Sequence, residues 1–153
     1  MSEETIRETA NYTFGDWAIN SNVEQGFHLL HHRVILDNEN GQKLPVVQFA
    51  IRKTEDKGLG LQLVVTHGVD LEKGIDVKLD GEAALEGIKI NFSRPDGCVS
   101  EIVKLDKKLI ETLLRAEQGE VSVTDFGNKS VLGFPFSLKG FEKGIEKITE
   151  LSK

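Results

Sequence analysis

Cysteine, proline, tryptophan and long apolar runs are all scarce in this 153-residue chain, and each scarcity closes off a class of protein. One cysteine, Cys98, excludes an intramolecular disulfide and any cysteine-rich zinc site. Taken alone, it points toward a reducing compartment, and a lone thiol is more often a small buried hydrophobe than a nucleophile. No apolar stretch approaches the roughly 20 residues needed to cross a bilayer. There is no repeat, no low-complexity tract and no linker rich in Pro, Gly and Ser. Basic residues are outnumbered by acidic ones, 19 to 25, giving a net charge of -6 and a pI near 5.3. Nucleic acid is therefore not an expected partner, because binding it depends on massed Lys and Arg releasing counterions. The longest basic stretch, Lys104 to Lys108, is broken by Leu105 and Asp106. The start, Met1-Ser2-Glu3-Glu4-Thr5, is acidic and carries no signal peptide. That leaves two expectations: residence in the cytoplasm, or a mature portion whose export signal has been removed.

What is present is period-two alternation. Val47, Phe49 and Ile51 alternate with polar or small residues, as do Leu59, Leu61, Leu63 and Val65, and then Ile75, Val77 and Leu79. Ile88, Ile90 and Phe92 continue the pattern, followed by Val121 and Val123, and by Leu132, Phe134, Phe136 and Leu138. Successive strand residues point to opposite faces, so each set buries one side. Asp37 to Gly41, Asp80-Gly81, Asp96-Gly97 and Gly127-Asn128 supply turn residues between these runs. Pro135 removes a backbone donor from its strand and predicts an edge or a bulge. Two helices are expected. One spans about 106–118, with Asp106 as N-cap, Leu109, Ile110, Leu113 and Leu114 on one stripe, and Gly119 as the stop. The other spans about 139–151, with Phe141, Ile145 and Ile148 inward. The fold class is mostly β: an antiparallel sandwich or barrel-like domain of about nine strands and two short helices. Residues 1–11 read as a flexible arm, and 12–153 as one domain.

Several residues invite a chemical role. His28, His31 and His32 are clustered, and imidazole is a common metal ligand. On a strand, however, His28 and His32 share one face while His31 takes the other, and no third ligand is nominated. A polar strip is the better reading of His28 and His32 than a metal centre. His67 lies in the turn Thr66-His67-Gly68, where functional residues concentrate, yet no nucleophile or carboxylate can be assigned to it. No hydrolase elbow, zinc-protease pair or lactamase motif occurs. Gly58-Leu59-Gly60 leads into a strand, so it lacks the helix N-terminus that cradles phosphate. Asp37 to Gly41 has glycine one place too early for a calcium loop and reads as a hairpin turn. Trp17 and Tyr12 suggest an aromatic platform, but a lone Trp in a small domain is usually core. The three Asn-x-Ser/Thr triplets, at Asn11, Asn91 and Asn128, read as chance matches. No catalytic residue, cofactor or enzymatic activity is expected.

Three patterns, in order, resemble the invasion-associated protein B family of exported bacterial proteins. They are Phe14-Gly15-Asp16-Trp17-Ala18-Ile19, an opening strand; Thr66-His67-Gly68 through Ile75, leading on to Asp80-Gly81 and Asp96-Gly97-Cys98; and Phe136-Ser137-Leu138-Lys139-Gly140-Phe141, where a last strand turns into the C-terminal helix. The resemblance implies a periplasmic, secreted or surface-associated protein, linked in pathogenic members to invasion of host cells such as erythrocytes, with a protein or cell-surface partner. It implies no reaction. The family positions it singles out are Gly15, Asp16, Trp17, Gly68, Gly97, Cys98, Ser137, Leu138, Gly140 and Phe141. It also implies paired cysteines, from which this chain departs: Ser21 follows Trp17, and Ser93 stands five residues before Cys98. If these are the equivalent positions, about 2–4 kcal/mol of disulfide stabilisation is missing, and the core carries the fold. The alternatives are a small-ligand or glycan-binding module, a hydrolase or metalloenzyme using the histidines, and a structural or chaperone-like periplasmic component.

Overall fold

A computed structural model of the chain describes residues 9–22, 26–37, 40–56 and 58–152. These residues form two antiparallel sheets and two helices. The chain starts with a five-strand meander: β1 (Thr9–Phe14), β2 (Trp17–Asn22), β3 (Phe27–Asp37), β4 (Lys43–Lys53) and β5 (Leu59–Val65). It then crosses to a second sheet for β6 (Ile75–Leu79) and β7 (Glu82–Ile88). It returns for β8 (Ile90–Arg94), β9 (Gly97–Ser100) and β10 (Val103–Leu105), runs through α1 (Lys107–Arg115), adds β11 (Gly119–Thr124) and β12 (Val131–Phe136), and ends in α2 (Phe141–Leu151). The large sheet has the order β1-β2-β3-β4-β5-β9-β8, and β10 also pairs with β5. The small sheet has the order β12-β11-β6-β7.

The alternating sets do bury one face each. Val47, Phe49, Ile51, Leu61, Leu63 and Val65 of the large sheet meet Ile75, Val77, Leu79, Val121 and Val123 of the small one in a single apolar core. Neither sheet closes into a barrel, so the expected sandwich is the architecture found. Helix α2 packs on β1, β2 and β3, where Phe141, Ile145 and Ile148 are buried and Gly144 lets the helix settle on Leu30. Helix α1 lays Leu109 and Leu113 against the core near Leu79 and Leu85.

Some expectations need correction. Twelve strands, not about nine, are present among the described residues. Ile88, Ile90 and Phe92 do not share one strand. Ile88 ends β7 in the small sheet, and Ile90 begins β8 in the large one, with Phe92 exposed. Between them, Lys89 exchanges hydrogen bonds with Glu101: its N–H donates to the carboxylate and its carbonyl accepts from the Glu101 N–H. That pairing pulls the chain across the sandwich. Helix α1 is capped by Asp106 as expected, its carboxylate accepting from the Leu109 N–H at 2.8 Å, but it stops at Arg115. Gly119 is the first residue of β11, in contact with the Phe136 ring where a side chain would clash, so it opens a strand rather than ending a helix. Strand β12 ends at Phe136, before Leu138, and is an edge strand, as Pro135 predicts. Strand β1 begins at Thr9, within the segment expected to be an arm; residues 1–8 lie outside the described residues. So does part of the Asp37–Gly41 turn, at residues 38 and 39.

Candidate functional site

The first and third family-like patterns, 120 residues apart in sequence at Trp17 and Ser137, meet at one end of the sandwich. Phe14 and Trp17 pair across the tight turn Gly15-Asp16, so the first pattern is a hairpin corner followed by β2, not an uninterrupted opening strand. The Asp16 N–H donates to the Lys139 carbonyl at 2.9 Å. Trp17, 1% exposed, donates its indole N–H to the Ser137 carbonyl at 2.8 Å. The Ser137 hydroxyl donates to the Asp16 carboxylate and accepts from the Lys139 N–H. Gly140 has φ 89°, and a Cβ there would lie 1.7 Å from the Phe14 carbonyl oxygen. A Cβ on Gly15, at φ 59°, would lie 2.6 Å from the Lys139 carbonyl oxygen. Only glycine permits two chain segments to cross this closely. Phe141, next in sequence, sits edge-on to Trp17 with centroids 5.0 Å apart.

His32 completes the junction. It stacks on Trp17 at 5.0 Å and lies against Phe49. Its Nε2 accepts from the Ser137 N–H at 3.3 Å, so Nδ1 carries the proton and donates to the Asp16 carbonyl at 2.9 Å. Burial holds this imidazole below its ordinary pKa, opposed by the hydrogen bond to Asp16 and by its carboxylate charge. An aspartate, a histidine and a serine thus converge, but not as a catalytic triad. The hydroxyl is held by the carboxylate rather than by the imidazole, and both ring nitrogens are committed to backbone groups. A nucleophile needs a base within reach of its proton. Here each group is spent on closing the chain.

The other singled-out residues fall elsewhere. His28 shares the inner face with His32, as the alternation requires, but bonds Ser21 through Nδ1 at 2.6 Å. Among the described residues, no group of three or more His, Cys, Asp or Glu side chains could hold a metal ion. His67 and Cys98 are brought together by the return of β9 alongside the end of β5, a pairing that local sequence does not reveal. Nε2 of His67 faces the Pro95 carbonyl at 3.3 Å, and Nδ1 faces the buried Cys98 sulfur at 3.8 Å. Ser93 stands directly opposite Cys98 in the β8–β9 ladder. Gly68, at φ 89°, shapes the loop in which the Gly68 carbonyl accepts from Phe126 and Asp70 pairs with Lys129 at 3.0 Å. The Lys129 ammonium holds the Asp70 carboxyl below the usual range. Leu138 is half-buried against the core.

A cavity between the sheets has a free volume of about 20 Å³ and is enclosed by residues such as Phe49, Leu79 and Phe136. That is about the room of a single water molecule. Fold and junction together define a class: a filled antiparallel β-sandwich whose last helix is locked onto its first hairpin. The comparisons identify the family. Residues 32–149 match the invasion associated locus B (IalB) protein family, and the chain belongs to it. Two invasion protein B homologues, from Brucella abortus strain 2308 and Brucella abortus biovar 1 strain 9-941, are each 26% identical over 148 residues, covering 95% of this chain and 82% of theirs. The crystal structure of invasion associated protein b from Bartonella henselae superposes with a TM-score of 0.78 at 20% identity, over 93% of this chain and 97% of that one. The family is named for invasion, not for a reaction.

Proposed function

We propose that this chain is an exported bacterial envelope or surface protein that serves host-cell invasion by binding a protein or a cell surface, not by catalysis. One observation carries the reading: where the family-like patterns converge, the Asp16, His32 and Ser137 groups are hydrogen-bonded to one another or to backbone, leaving no activated nucleophile. Family membership supports the invasion link, and placement in the periplasm or beyond is part of the proposal. The cavity between the sheets is too small to hold a small ligand or glycan, so that alternative would need a site on the surface.

The test is a pull-down with biotinylated Cys98→Ser protein against envelope extract and host-cell membranes, followed by titration with any purified partner. Saturable binding to one partner supports the reading. The absence of saturable binding in either extract overturns it. Fractionation of the producing bacterium decides placement separately, and recovery in the cytoplasm alone would reject export.

A further inference from the structure

We infer that the outer face of the large sheet is a docking groove for an extended acidic peptide segment of the partner, an inference that rests on the binding reading above. Residues paired across antiparallel strands share a face. Ala18, His31, Ala50 and Gln62 therefore form one row across β2 to β5, turned away from the core, and Arg33, Gln48 and Val64 form the next. Arg52 lies beyond Ala50 on β4, and Arg94 comes from β8. A groove of about 390 Å³ runs over these rows.

Its charged lining is Arg33, Arg52 and Arg94, with no carboxylate among the described residues, in a chain whose net charge is -6. Arg94 is already held in a two-pronged pair by Asp96, which also accepts from Gln48 at 3.4 Å. Arg33 and Arg52 are exposed and make no ion pair among the described residues. Arg33 is level with Gln48 on β4, and Arg52 is four residues farther along that strand. At about 3.3 Å per residue, the two guanidinium positions are offset by roughly 13 Å along the strand direction. An extended peptide with carboxylates four residues apart repeats that offset, and a guanidinium fork matches a carboxylate.

The floor between them decides what kind of anion fits. Leu29, Ala50 and Val64 alternate there with the amides of Gln48 and Gln62. The floor also holds an unmet polar atom, His31 Nε2, buried without a hydrogen-bond partner among the described residues. Sulfated glycans and nucleic acids present dense charge, which demands massed cations. Two separated guanidinium groups over an apolar and amide floor suit a peptide that alternates acidic and aliphatic side chains.

Fluorescence anisotropy tests this with a labelled peptide carrying two Glu four residues apart among Val, Leu and Thr. The same peptide with Gln in place of Glu is the control, and a heparin fragment is the third probe. The acidic peptide should bind saturably and about tenfold tighter than its Gln version at low salt. Arg33→Glu with Arg52→Glu should remove that preference, and the milder Arg33→Gln with Arg52→Gln should reduce it, with circular dichroism confirming the fold of each. Equal binding of the two peptides, no binding of either, or insensitivity to both double variants overturns the proposal. So does binding confined to heparin, which would make the face a glycan site. The double variants also go through the pull-down. Partner capture that survives while the peptide fails removes the groove and leaves the binding reading standing.

Discussion

His31 and His32 are neighbours in sequence and opposites in circumstance. His32 faces the core, stacked on Trp17, with both ring nitrogens bonded. His31 faces outward over Ala18 and Ala50, beside exposed Arg33, with a buried nitrogen that has no partner among the described residues. The inner face of the large sheet is met: His28 and His32 are hydrogen-bonded, and its apolar groups meet the second sheet and helix α2. The outer face carries charge and an unmet polar atom. His32, Asp16 and Ser137, the residues that look most chemical, meet on the inner side, where their chemistry is spent on holding the fold. The groups free to meet another molecule lie one residue away, on the other side of the same strands.

That contrast can be broken by substitution, and the junction should respond most. Gly140→Ala forces a methyl into the Phe14 carbonyl, and should cost about 4 kcal/mol in urea denaturation, in the range reserved for steric violations of the backbone. A loss below half of that would show that the crossing can relax. Trp17→Phe removes the indole bond to Ser137 and leaves a gap beside Phe141; about 2 kcal/mol should be lost.

The pH dependence sharpens the comparison of the two histidines. Both are held below the ordinary imidazole value, first by burial. For His31 the Arg33 charge adds to burial, and for His32 the contacts with Asp16 oppose it. Between the folded values and the unfolded value of about 6.5, the unfolded chain binds more protons. Their contribution is therefore full above that value and is lost as pH falls below it. Urea midpoints measured across this range should decline toward acid, with a shallower slope in His32→Gln; an unchanged slope would deny His32 its neutral, bonded state. The smallest effect belongs to the outer face. Arg33→Ala and Arg52→Ala should each shift stability by less than about 0.5 kcal/mol, as exposed side chains with no ion pair among the described residues do. A larger loss would make these arginines part of the fold and not a free surface.

Much of the framework is legible in short stretches of the sequence. Pro135 marks an edge strand, Asp106 marks a helix start, and Asp80-Gly81 marks a hairpin whose two central residues do have positive φ, 51° and 82°. Legibility fails where a neighbour distant in sequence decides the outcome. Gly119 looks like a helix stop, but pairing with Leu79 and Phe136 makes it a strand. Ile88 to Phe92 alternates evenly, yet Lys89 and Glu101 divide it between two sheets. His67 and Cys98 carry no sign of their proximity.

Alternation, turn chemistry and helix caps are local properties, set by backbone sterics and by where successive side chains point. The chain by itself therefore determined a mostly β domain, sandwich or barrel-like, the apolar face of most of its strands, and a last helix entered through Gly140. Only the tertiary structure decided that Gly15 and Gly140 cross, that an aspartate, a histidine and a serine meet without the hydrogen-bond order of a catalytic triad, and that Arg33, Arg52 and Arg94 share one groove. These are contacts between segments far apart in sequence. Their free energy depends on strand register and on closing long loops, and neither quantity is written in any short stretch of residues.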